Sequence, residues 1–296
     1  MLELALKLFN EKPLDKRRKY YLIVDTETAT LPVNVSDKSK VSLKYPLVYD
    51  IAWVIIDING NIYRTRNFLV NEIFSNYQVF STAYYHEKRQ IYIDRLTRSE
   101  IIKADWETIM QVLEKDLSEV NGIGAYNAYF DLKKAIPFTE RYIQKFYSNE
   151  WETWYNNKIS EIESLDSKTS KSKKSNPNYD AEIFEFKGIQ YLVFDIWYLA
   201  IQHLLNSDEY KKKAVENQWL TASGKYFSTN AENTYRFIID NNDFSENHIA
   251  LSDVRIETKI FTKAVNHNKW NISWGIQPFP YKILGTVENF IKESGV

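Results

Sequence analysis

The chain has 296 residues, 44% of them hydrophobic, enough to bury one substantial core. Its formal net charge is −1, so it lacks the global basic signature of a nucleic-acid binder, although an acidic metal site would offset basic surface elsewhere. The absence of cysteine excludes disulfides, zinc–thiolate sites and thiol catalysis.

No apolar run reaches the length of a membrane span, and no signal-like apolar segment opens the chain. A soluble, cytoplasmic protein is expected. In residues 1–12, Leu2, Leu4, Ala5, Leu8 and Phe9 share a stripe that predicts a short amphipathic helix, ended by Pro13. Lys16-Arg17-Arg18-Lys19 reads as a solvated approach to the first strand, with phosphate contact as the alternative. Residues 20–24, YYLIV, form an unbroken apolar run rich in aromatic and β-branched residues, the pattern of a strand buried on both faces. It runs into Asp25-Thr26-Glu27. Residues two apart in a strand point the same way, so two carboxylates converge at a sheet end, where a hard divalent cation would offset their repulsion. Two other Asp-x-Glu pairs, Asp105/Glu107 and Asp180/Glu182, follow no buried strand.

After a polar loop, residues 47–58 and 62–70 read as strands joined by an Asn59-Gly60 hairpin turn. Residues 82–103 read as helical or as a lid, with His86 an exposed polar residue. Residues 105–120 form an amphipathic helix, on the spacing of Trp106, Ile109, Val112 and Leu113. A short strand over 123–126 leads into Asn127-x3-Asp131 at a helix start, a helix that Pro137 is expected to kink or end. Taken locally, Asn127 is an N-cap and Asp131 a first-turn acid. Residues 147–188 read as an insertion that begins with Trp151, Trp154 and Tyr155 and becomes Ser/Lys-rich over 167–175. Its two readings are a solvated excursion and a basic flap over a nucleic-acid strand. A buried strand over 191–194 ends at Asp195, which is expected to cap the helix over 196–205. Thr229-x-x-Glu232 reads as a capping box for a helix over 231–240. His248-x4-Asp253 then opens another helix. Five residues would separate His248 and Asp253 by roughly 140° on a regular helix, so the two can share one site only with His248 in the lead-in loop and Asp253 one turn inside. Residues 266–296 read as an irregular tail packed back on the rest.

The three acidic motifs, YLIVDTET, YNAYFD and HIALSD, resemble those of the DEDDh branch of the DnaQ-like 3′→5′ exonucleases, and YDIAWVIIDINGNI resembles that family's second and third strands. The resemblance spans residues 20 to about 265. Asn176-x3-Asp180 and His203-x4-Asp208 share the bare spacings, but Asn176 precedes a proline and His203 lacks the alanine two positions on. Where many members carry glycine after the first motif, this chain has Ala29-Thr30-Leu31.

The resemblance implies an α/β fold: a ribonuclease-H-like mixed five-stranded sheet flanked by helices, with the insertion between the second and third motifs, all within a single exonuclease domain over 1–296. It implies two divalent ions, Mg²⁺ or Mn²⁺, held by Asp25, Glu27, Asp131 and Asp253. Asp25 would bridge both ions, Glu27 and Asp253 would hold the ion that binds water, and Asp131 would act through the other ion's water shell. His248 would be the general base, giving a rate that rises across pH 6–8. Asn127 would orient Asp131 or the helix start, while Thr28, Leu31, Tyr129 and Phe130 would contact terminal nucleotides, with core packing as the alternative for the last three. The expected partner is a nucleic-acid 3′ end, single-stranded DNA before RNA, with a polymerase or replication protein as a possible associate and no membrane. The alternatives are an RNA 3′-end exonuclease, like oligoribonuclease or ribonuclease T, and a non-catalytic nucleic-acid-binding module.

Overall fold

A computed structural model describes residues 13–33, 41, 43–167, 183–277 and 279–295. The helix expected over 1–12 and the Lys/Ser tract after Ser167 lie outside the described residues.

The YYLIV run becomes β1 (Tyr21–Ala29), the strand on which the sheet is built. β2 (Leu47–Ile56) is buried along its whole length and pairs antiparallel with β1 on one side and β3 (Ile62–Val70) on the other. Gly60, at φ +79°, turns the hairpin between β2 and β3, and Asp57 accepts the amides of Asn59 and Asn61. β4 (Ile102–Ala104) extends the sheet beyond β3. β5 (Ile123–Ala125) runs parallel to β1, β7 (Ile189–Asp195) parallel to β5, and β6 (Ile183–Phe186) closes the far edge antiparallel to β7.

The order is therefore β4-β3-β2-β1-β5-β7-β6. The five central strands, with β2 antiparallel to both neighbours and β5 and β7 parallel to β1, form a mixed sheet as expected. The expectation of five strands missed the two short edges. Helices cover both faces. Leu22 and Val24 pack with one core and Tyr21 and Ile23 with the other, as alternation along a strand requires.

Against the first core pack α1 (Arg89–Thr97) and α2 (Trp106–Leu117), together with a helical run through residues 128–146 that ends as α3 (Ile136–Phe146). Pro137 does not end that run. A π-helical stretch, Asp131–Ala135, widens the turn just ahead of the proline ring. α4 (Trp151–Ser167) follows, so the aromatic start of the insertion is helical. Its aromatics pack on one another and on α3, with Trp151 edge-on to Tyr142 at 5.2 Å and 5.8 Å from Trp154. The second core is built on α5 (Ile196–Ala200), α6 (Asp208–Glu216), α7 (Ala231–Ile239) and α8 (Ala250–His267). The capping box is displaced by one residue: Asn230, not Thr229, accepts the Asn233 amide at 3.0 Å. The tail is not wholly irregular, because it ends in α9 (Val287–Ser294), whose Val287 and Phe290 join the second core. No helix among the described residues is long and apolar enough to cross a membrane.

β5 is squeezed between β1 and β7. A Cβ on Gly124 would stand 2.1 Å from the Phe194 ring. Gly124→Ala is expected to cost about 1–3 kcal/mol of stability by overpacking, read as a melting temperature lowered by several degrees. An unchanged melting temperature would contradict that packing.

Candidate metal centre and active site

Three elements meet at the C-terminal end of β1. The strand itself delivers Asp25 and Glu27, which continue the series Tyr21, Ile23 on the face covered by α8. Oδ2 of Asp25 is closed off from solvent with no hydrogen-bond partner.

Asp131 arrives from the other side. The chain leaves β5 through Asn127 at φ +65°, a left-handed conformation that asparagine tolerates better than most residues. The Asn127 side chain makes no cap bond, so the N-cap reading is corrected. Its backbone amide instead donates to Asp195 Oδ1 at 3.2 Å. The same oxygen accepts from Trp197 at 3.0 Å, so Asp195 caps α5 as expected and also anchors the start of the run that carries Asp131. Asp131 is 3% exposed, and its Oδ1 accepts from the Thr26 hydroxyl at 2.6 Å.

α8 supplies the third group. Asp50 stands opposite Glu27 in the β1–β2 register, and its Oδ2 accepts from the Ala250 amide and the Tyr92 hydroxyl, both at 3.0 Å. A buried strand carboxyl thus fixes the start of α8. Asp253 lies in the first turn, 7% exposed, and His248 lies in the lead-in loop, where the spacing placed it. His248 has φ +45°, an uncommon conformation held from outside its own segment. Its ring stacks on Tyr85, with centroids 4.2 Å and planes 11° apart. Lys88 donates to the Asn247 carbonyl at 2.6 Å and lies 4.1 Å over the same Tyr85 ring. Residues 82–103, read as helical or as a lid, are largely helical: a one-turn 3₁₀ helix, His86–Lys88, leads into α1, with β4 after it. His86 itself is exposed, its Nδ1 3.0 Å from the Ala83 carbonyl.

The ligating atoms of Glu27, His248 and Asp253 lie within 4.8 Å of one another, and Glu232, Glu246 and His248 form an adjoining group of the same tightness. Asp25 and Asp131 fall outside both groups, but the charges of Asp131, Asp253 and Glu27 all act on Asp25. Burial, then the charges of Glu257, Asp131, Asp253 and Glu27, pushes the Asp25 carboxyl well above the usual range. Glu27 is likewise pushed well up by burial and by Asp253 and Asp50, with Lys88 opposing. Burial raises Asp131 to about 7 against the Thr26 bond, and raises Asp253 to about 7 against a bond to Glu27. The His248 imidazole is held below its usual value by burial and the Lys88 charge. Like-charged groups crowded this way, with oxygens of Asp25 and Asp253 buried and unpartnered, match the needs of a hard cation that prefers oxygen ligands.

The four motif carboxyls and His248 are therefore brought to one sheet end. The expected base contacts are less uniform. Thr28 is half-buried on β1, just past a register shift between Glu27 and Thr28. Leu31 is wholly buried in the first core. Tyr129 and Phe130 are partly buried against the first core. Sequence reasoning missed Thr26, Asp50, Tyr85, Lys88 and Glu257. A charge inside an otherwise apolar strand marks Asp50, and the four-residue spacing from Asp253 marks Glu257.

A scan against family models and a search of curated proteins find no match. Among solved structures, the chain is similar to ExoI of E. coli, in the zinc-ion-bound form of its complex with single-stranded DNA. The TM-score is 0.39 at 12% identity, over 85% of this chain and 41% of that one. The chain thus spans less than half the length of that protein.

A carboxyl whose pKa is higher folded than unfolded holds its proton more tightly when folded. Raising the pH therefore removes stability, from the unfolded value near 4 up through the folded value near 7. Melting temperatures of the cation-free protein are expected to fall between about pH 4 and pH 8, and millimolar Mg²⁺ is expected to recover the loss. A flat profile would contradict the crowding.

Proposed function

We propose that the protein is a nuclease, a hydrolase of phosphodiester bonds that works with divalent cations. More particularly, it is a 3′→5′ exonuclease of single-stranded DNA. The observation that carries this reading is the convergence of Asp25, Glu27, Asp131, Asp253 and His248, drawn from three separate elements, at one end of the sheet. The motif resemblance supports it.

Asp25, Glu27, Asp131 and Asp253 would hold two ions, Mg²⁺ or Mn²⁺. Bound there, such ions stabilise charge on the transferring phosphoryl group and make water a stronger nucleophile. His248 accepts the proton of the attacking water. Its depressed pKa keeps the imidazole neutral, and so basic, at pH 7. Tyr85 fixes the ring plane, and Lys88 ties down the carbonyl before it. The new bond joins the water oxygen to phosphorus. The bond to the 3′ oxygen of the penultimate nucleotide breaks, releasing a nucleoside 5′-monophosphate. Thr28, Tyr129 and Phe130 remain the candidates to contact the terminal bases.

The test offers 5′-labelled DNA and RNA oligomers with free 3′ hydroxyls and Mg²⁺, and resolves the product ladders. The wild type is expected to shorten DNA one nucleotide at a time. Asp25→Asn and Asp131→Asn are expected to lose roughly 10²–10³-fold or more of the rate, and chelator is expected to abolish it. His248→Ala is expected to lose roughly 10²–10⁴-fold. It should also remove the fall in rate below about pH 6.5 that protonation of the imidazole causes. That range lies lower than the pH 6–8 rise expected from an unperturbed histidine. Internal cuts, or a faster RNA ladder, would overturn the particular reading. Full activity in Asp25→Asn would overturn the nuclease site itself.

A further inference from the structure

Glu257 belongs to none of the three motifs. It lies four residues after Asp253 on α8, so both side chains leave the same helical face. It is 3% exposed, and its Oε2 is buried without a hydrogen-bond partner. Its surroundings are acidic: Asp131, Asp253 and Glu246 all act on it, and among charges it is the foremost one acting on Asp25. The backbone amide of Tyr126 is the group that favours its charged form. A carboxyl this deep, with one oxygen unfilled and like charges in front of it, is stable only if it keeps its proton or shares a cation.

We propose that Glu257 is a fifth carboxylate of the metal centre, binding through Oε2 the divalent cation that Asp25 also holds. The proposal rests on the nuclease reading only for what the ion does, not for its being bound. Three groups on two turns of α8 and its lead-in then serve one site: His248, Asp253 and Glu257. The occupant is a hard divalent ion, because every oxygen offered comes from a carboxyl.

The test is calorimetric titration of the full chain with Mn²⁺ at pH 7.5, without nucleic acid, for the wild type, Glu257→Gln and Asp25→Asn. Gln keeps the shape and the hydrogen-bonding capacity of a protonated carboxyl but cannot carry its charge. Glu257→Gln is expected to weaken Mn²⁺ binding by about 10–100-fold, the scale seen when groups supporting a metal site are removed. Its melting temperature without cation is expected to equal or exceed the wild type's, since Gln stands in for the carboxyl that must otherwise keep its proton against burial and like charges. Wild-type Mn²⁺ affinity in Glu257→Gln would overturn the proposal and leave Glu257 a buried, protonated spectator. Should that variant not fold, Glu257→Asp keeps the charge but withdraws it by one methylene. It is expected to weaken binding too, and unchanged affinity there would equally overturn the proposal. A wild type that binds Mn²⁺ with Glu257-dependent affinity yet cuts no oligonucleotide would sustain this inference and overturn the nuclease reading. A wild type that degrades DNA while Glu257→Gln binds Mn²⁺ normally would do the reverse.

Discussion

Carboxyl groups crowded at the end of a buried strand repel one another, and the rest of the structure is arranged around that repulsion. Asp25, Glu27, Asp131, Asp253 and Glu257 all stand above their ordinary titration range because burial and mutual charge disfavour ionisation. Lys88 is a cation that acts on both Glu27 and Asp253, and it is engaged with the Asn247 carbonyl. Burying this many carboxyl oxygens without donors opposes folding, so a fold that retains them has a use for them. Divalent cations fit the donor set.

Two further buried acids hold the crowded ones in place. Asp195, at the end of β7, accepts the Asn127 amide where the run carrying Asp131 begins, and the Trp197 amide in the first turn of α5. Asp50, inside β2, accepts the first amide of α8, which carries Asp253 and Glu257. Helix N-termini have unpaired amides and a positive dipole end, so a strand carboxyl satisfies both demands. The same physics sets the orientation of each functional helix: its start is pinned to the sheet, and its first turns project acids over the sheet end. His248 is positioned differently. Its left-handed backbone and its stack on Tyr85 make its place depend on a segment more than 150 residues earlier in the chain.

The parts of this arrangement legible in the sequence were those set by local rules. The apolar run before Asp25, the Asn59-Gly60 turn and the helical spacing around Trp106 each depend on a few neighbouring residues. Helix geometry, with the motif resemblance requiring both residues at one site, placed His248 outside the helix of Asp253. β4, only three residues long, and β6, four residues beside a tract of Lys and Ser, were too short to show a period. Thr229 and Asn230 are adjacent and both suit a cap, so local chemistry did not choose between them. Pro137 is accommodated by a π stretch that no residue type announces. Tyr85, Lys88 and Asp50 act across the fold, and their roles follow from tertiary contacts that no periodicity marks.

The central claim is that these carboxyls enclose cations. Anomalous diffraction from crystals grown with Mn²⁺, recorded near the manganese edge, tests it most directly. The account predicts two peaks roughly 3.5–4 Å apart, both bounded by Asp25, Glu27, Asp131 and Asp253. A map with no peak there at millimolar Mn²⁺, and with the carboxyls instead paired to one another through shared protons, would contradict it.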